Sequence, residues 1–216
     1  MSHPPFGIEK SSESIFITRN VDVESGPKDI TVATLLTASW AFVLARHLNV
    51  RDVTFGSVVT GRSLEHFDAD RIMGPCYHVR IDFENRFTVI EFLRFVQNQA
   101  IECGQYAAIG LKQITQACTN WPSDTKFFDS PVHHQDIDYF DTLPFGSGSC
   151  RVGLLNPHPE PAQEWKIVSF PKEGEICIGI ETSESWVDFA TGMLLELAGT
   201  VTLFAQKPDA DLPWLR

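Results

Sequence analysis

DITVATLLTASWAFVLARHLNVRDVTFGSVVTGR, Asp29 to Arg62, reads as an apolar helix, a tight turn, a strand and a Gly-Arg exit. One side of the helix carries Val32, Leu35, Leu36, Trp40, Val43 and Leu44. The other carries only Ala33, Thr34, Thr37, Ala38, Ala41 and Phe42 before Arg46. So little polar surface predicts burial on nearly all sides against a sheet. Asp29 or Thr31 stands where a side chain caps the first amides, and Arg46 and His47 stand where the helix dipole favours a cation. In the strand that follows, Val53, Phe55, Ser57 and Val59 share one face, and Thr54, Gly56 and Val58 the other.

Outward from this unit, Ser14–Arg19 has strand composition, and Glu24-Ser25-Gly26-Pro27 turns the chain into the helix. Thr88 and Glu91 form a capping box for a helix whose core stripe is Val89, Phe92, Leu93, Val96 and Ala100, with Gly104 at its end. A shorter helix is expected over Gly110–Thr119, with Leu111, Ile114 and Ala117 or Cys118 inward. Asp141–Pro161 is rich in Gly and Pro and is expected to run over the surface. Trp165, Ile167 and Ser169 alternate before a Pro171–Gly174 loop, and Ile176, Ile178 and Ile180 alternate after it, the pattern of a hairpin. Trp186–Gln206 is a helix with Phe189, Met193, Leu194, Leu197, Val201 and Phe204 on its core stripe.

The chain has 216 residues, enough for one sizeable core. A net charge of -11 and an isoelectric point near 5.0 argue against nucleic acid as a partner. The five cysteines are scattered, without a Cys-x-x-Cys pair, and read as small buried thiols in a reducing compartment. No basic-then-apolar leader opens the chain, and no uninterrupted apolar run nears the roughly 20 residues of a membrane span. These features predict a cytoplasmic protein without a membrane partner and without a metal site.

Ile30–Arg62, with its Thr-x-Ala-Thr-Leu helix, Ala-Trp-Ala centre and Phe-Gly-x-Val-x-x-Gly-Arg strand, resembles the opening of the C-terminal lobe of condensation domains from nonribosomal peptide synthetases, fungal ones in particular. Arg71-Ile72-Met73-Gly74-Pro75-Cys76 resembles the Ile-x-Gly-Pro-Cys turn of the same lobe. Here the Val-x-Arg strand follows at once, without the Asn-x-x-Pro element the family places between them. The resemblance runs from about Ile15 to Lys207. It implies an α/β two-layer sandwich, a mixed β-sheet with packed helices, as in one lobe of the chloramphenicol-acetyltransferase-like fold. On this reading 1–14 is a lead or linker, 15–207 the domain and 208–216 a tail.

His133-His134-x-x-x-Asp138 has the skeleton of the His-His-x-x-x-Asp-Gly motif used by condensation domains and by chloramphenicol acetyltransferase. In that motif the second His polarises the attacking amine or hydroxyl, the Asp holds the local structure, and the Gly allows a sharp turn. Tyr139 stands at the Gly position, and Pro144, Gly146 and Gly148 follow where a helix should begin. The same residues also match a strand of the fungal second lobe, Phe-x-Ser-x-Val-x-His-Gln-x-Ile-Asp, which needs no catalysis. A metal site from His133, His134, Asp136 and Asp138 is disfavoured, because adjacent strand residues point to opposite faces.

The resemblance implies a condensation component: the lobe that forms one wall of a tunnel, where acyl groups on carrier-protein phosphopantetheine arms are joined as amide or ester or cyclised, with no bound cofactor. Its partners are then an N-terminal lobe and a carrier protein. Ser57, Gly61, Arg62, Gly74, Cys76 and His78 would lie along or behind that wall. Two alternatives stay open. One is a stand-alone acyltransferase or cyclase working as a homo-oligomer, with His134 as base and Asp138 as its partner. The other is a non-catalytic module that docks a carrier protein.

Overall fold

A computed structural model describes residues 14–58, 76–83, 88–106, 109, 111–122, 129–136, 142–151 and 165–212. In chain order these form β1 (Ser14–Val21), α1 (Val32–Leu48), β2 (Asp52–Val58), β3 (Cys76–Asp82), α2 (Val89–Gly104), α3 (Leu111–Cys118), β4 (Pro131–His134), β5 (Thr142–Phe145), β6 (Gly148–Arg151), β7 (Lys166–Lys172), β8 (Glu175–Ser183) and, after one 3-10 turn, α4 (Val187–Gln206). Six strands make one mixed sheet in the order β1-β8-β7-β4-β2-β3, and β5 and β6 pair by themselves. The expected α/β two-layer sandwich is present.

α1 is buried nearly all round, as its composition predicts: Thr34 to Leu36, Ala38 to Val43 and Ala45 are all buried. It lies on β2 and β4 and is flanked by α4, which covers β1 and β8, and by α2, which reaches β3. Of the two candidate caps, Thr31 serves, its hydroxyl accepting from the Thr34 amide at 3.1 Å. Asn49 ends the helix in the left-handed region (φ 52°) and closes its last turn. Trp40, Phe42, Phe55, Phe92, Ile167, Ile180 and Phe204 belong to the core between the sheet and these three helices.

Several local expectations hold. Thr88 and Glu91 form the capping box of α2. β7 and β8 are joined by a two-residue turn, Glu173-Gly174, both at positive φ (53° and 83°).

Others are corrected. Phe189 is 44% exposed rather than buried in the core stripe of α4, its ring lying at the rim of the core, 5.5 Å from Trp165 and 6.0 Å from Trp186. In α3 Thr115 is buried and Ile114 partly so, Ala117 and Cys118 are exposed, and the side chain of Leu111 lies outside the described residues. Of the four described thiols only Cys177 is buried. Thr142–Arg151 lies on the surface as expected but forms a hairpin, turned at Gly146 with φ 58°, and the rest of Asp141–Pro161 lies outside the described residues. The expected tail is partly docked. The carbonyls of Pro208 and Ala210 accept from the Ile90 and Val89 amides at 2.8 Å each, and Leu212 is buried. Those are amides that the first turn of α2 cannot satisfy itself. α4 is long and apolar enough by composition to cross a membrane, yet Met193, Leu194, Leu197, Val201 and Phe204 are packed in the core.

Candidate functional site at the carboxyl edge of the sheet

β2 and β4 run parallel, as do β4 and β7, so three carboxyl ends lie side by side. In open α/β sheets ligand sites collect at such an edge. β3 is antiparallel to β2 and brings its first residues to the same rim, Cys76 opposite Val58 and Tyr77 opposite Ser57.

The entry into β4 is fixed from three directions. Trp40 Nε1 donates to Ser130 Oγ at 3.2 Å, the Gly56 amide donates to the Ser130 carbonyl at 3.3 Å, and the Trp165 amide donates to the Asp129 carbonyl at 2.8 Å. The buried helix thus anchors the strand that carries both histidines.

Of the residues expected along or behind a tunnel wall, Ser57 and His78 stand on opposite faces of the sheet. Ser57 is 8% exposed and stands with Tyr77 and Val132 on the helix-covered side. His78 and His133 project from the opposite side, flanking β2 at Gly56 and Val58. The His78 ring lies 4.8 Å from that of Trp121. Burial lowers the pKa of His78; at His133 burial does the same and the neighbouring His134 adds to it, so the neutral imidazole is favoured at both. Cys76 opens β3, while Gly61, Arg62, Gly74 and Asp138 lie outside the described residues.

His134 points to the helix-covered side, with its side chain 14% exposed. Its Nδ1 is 2.7 Å from Ser169 Oγ on β7, and its Nε2 is 2.8 Å from Asp136 Oδ1. The Gln135 amide donates to the Ser169 carbonyl at 2.8 Å. Hydroxyl, imidazole and carboxylate in a row have the form of an acyl-transfer relay. Here the hydroxyl is 0% exposed and closed to a substrate, and both ring nitrogens are engaged within the chain. Among the described residues no cluster of three or more side chains suits a metal ion.

Ser169 and Asp136 were not singled out from the sequence as partners of His134. Ser169 was legible as one member of an alternating strand, but which strand lies beside β7 depends on the sheet order, which no local pattern records. The tilted ring contact of Trp121 with His78 is likewise a product of the fold.

The family model for the condensation domain matches residues 22–143. Nonribosomal peptide synthetase 1 of Ajellomyces capsulatus is 45% identical over 205 residues, 94% of this chain and 11% of that protein. Nonribosomal peptide synthetase sidD of Aspergillus fumigatus is 46% identical over 200 residues, 91% of this chain and 10% of that protein. Among solved structures, a crystal structure described as SeMet-CT superposes with a TM-score of 0.79 at 26% identity, over 97% of this chain and 49% of that one. The starter condensation domain of rhizomide synthetase RzmA shares the fold, with a TM-score of 0.65 at 14% identity over 93% of this chain and 47% of that one. The chain therefore spans about a tenth of these curated relatives and about half of these solved chains. It belongs to the condensation-domain family of nonribosomal peptide synthetases, where its extent is that of one lobe, the C-terminal one.

Proposed function

We propose that this lobe works with an N-terminal lobe to join acyl or aminoacyl groups carried as thioesters on the phosphopantetheine arms of carrier proteins. It supplies one wall of the tunnel, and the companion lobe supplies the His-His-x-x-x-Asp-Gly base. The observation that carries this reading is coverage: nearly all of the chain matches synthetases at close to half identity, yet it fills only half of a solved condensation-domain fold. Surface chemistry supports a companion. The β5–β6 hairpin stands apart from the main sheet with Leu143 and Phe145 43% and 76% exposed. A two-stranded hairpin with open edges gains stability from something packed on it.

Amide formation from two loaded carrier proteins, followed by intact-protein mass spectrometry, tests the reading. The chain co-expressed with an N-terminal lobe is expected to move the donor acyl group to the acceptor, and the chain alone to leave both thioesters loaded. Transfer by the chain alone would overturn it.

A further inference from the structure

β4 is only four residues long and is paired to β2 and to β7 through three residue pairs each. So short a strand in the middle of a sheet has few ladder hydrogen bonds to hold its register. Side chains supply the rest, at both ends. Trp40 and Ser130 tie the entry; at the exit two side-chain bonds meet on one imidazole, beside one main-chain bond from Gln135 to Ser169.

We propose that His134 is a positioning residue, a strut that sets the carboxyl end of β4 against β7 and so holds the rim on which Ser57 and the first residues of β3 stand. This rests on the tunnel-wall reading above. His134 reaches across to Ser169 Oγ at 2.7 Å and back to Asp136 Oδ1 at 2.8 Å, while the intervening Gln135 amide donates to the Ser169 carbonyl at 2.8 Å. Two of these bonds tie the last strand residue and the first residue beyond it to one fully buried residue of β7, and the third ties Asp136 to the same imidazole.

The two side-chain bonds are unequal. Asp136 is 89% exposed, so water competes for its carboxylate and screens its charge. Ser169 is 0% exposed, so its hydroxyl bond is the one that cannot be replaced by solvent. A base acting on substrate needs a nitrogen open to it, and neither ring nitrogen is. A strut needs both nitrogens engaged, as they are. The adjacent His133 points to the other face and shares none of these contacts.

The test uses the intact synthetase with loaded carrier proteins and the variants His134→Ala, His134→Gln and Ser169→Ala. A displaced rim costs productive orientation, so His134→Ala is expected to raise KM for the carrier-bound acceptor about tenfold while kcat falls less than about threefold. Ser169→Ala moves in the same direction. His134→Gln keeps a donor and an acceptor and recovers most of the loss, and the pH profile of kcat is unchanged in all three. A kcat loss of about 100-fold or more at unchanged KM in both His134 variants would overturn the strut and make His134 a base. Kinetics like wild type in His134→Ala, with an unchanged melting temperature, would overturn it as well. If His134→Ala does not fold, His134→Gln and Ser169→Ala carry the comparison. Wild-type synthetase that forms no amide from loaded carriers would instead overturn the tunnel-wall reading itself.

Discussion

Gly179 on β8 shows how tightly single positions are drawn. A Cβ there would stand 2.6 Å from Phe16 Cε2 and 3.1 Å from the Ile17 carbonyl oxygen, so β1 lays an aromatic ring directly over a residue without a side chain. Gly179→Ala should lower the unfolding free energy by about 1–3 kcal/mol, read from urea denaturation midpoints. Adding Phe16→Leu should return part of it, because the ring can give way where the carbonyl cannot. Trp40→Phe keeps most of the buried ring but removes the donor to Ser130 Oγ, and should cost about 1–2 kcal/mol by the same measurement. Legibility at this scale was mixed. Thr31 was one of two caps the sequence offered, and the capping box was read outright, because both obey local spacing. Phe189, Ala117 and Cys118 were misplaced, because periodicity says which residues share a face but not how wide an arc the neighbouring elements cover.

Among elements, α2 organises its neighbours through amide side chains. Gln97 Oε1 accepts from the Thr31 amide at 3.0 Å and the Thr34 hydroxyl at 3.1 Å, and its Nε2 donates to the Asp29 carbonyl at 2.7 Å. Gln99 Nε2 donates to the Arg80 carbonyl of β3, the strand at one end of the sheet, at 3.0 Å. One helix therefore caps the start of α1 and covers part of a sheet edge. Gln97→Ala should destabilise the chain by about 1–3 kcal/mol, and hydrogen exchange should speed up first at the Thr31 and Thr34 amides. The long helices and the β7–β8 hairpin were legible because each repeats its own period over many residues. β4 was legible as a strand only by resemblance, since four residues carry no period worth the name. The β5–β6 hairpin was read as loop because Gly and Pro mark a turn inside a hairpin and an irregular crossing alike.

For the whole molecule, the order of strands was beyond the residues' own patterns: β4 lies between β2 and β7, two strands distant from each other in the sequence, and packs on α1. The sheet buries His78 and His133 on one face and holds both below the ordinary value of 6.5. The unfolded chain then binds protons that the folded chain refuses, so the unfolding free energy rises with pH below 6.5 and levels off above it. The melting temperature should fall as pH drops from about 7 to about 5, with a smaller slope in His78→Gln and His133→Gln. Glu91 adds in the same sense at lower pH, because its bonds to Thr88 lower its pKa and are lost on protonation. Retaining the slope in both variants would place the acid sensitivity elsewhere.

On the proposed function the lobe works inside a larger synthetase, joined to the partner that completes its tunnel. The mass of the native polypeptide carrying this sequence, read on a denaturing gel from its source cells with an antibody to the chain, tests it most directly. A band many times larger than the 24.2 kDa of these 216 residues is expected. A band near 24.2 kDa would contradict it, and a lobe acting alone would then have to find its catalytic base within this chain.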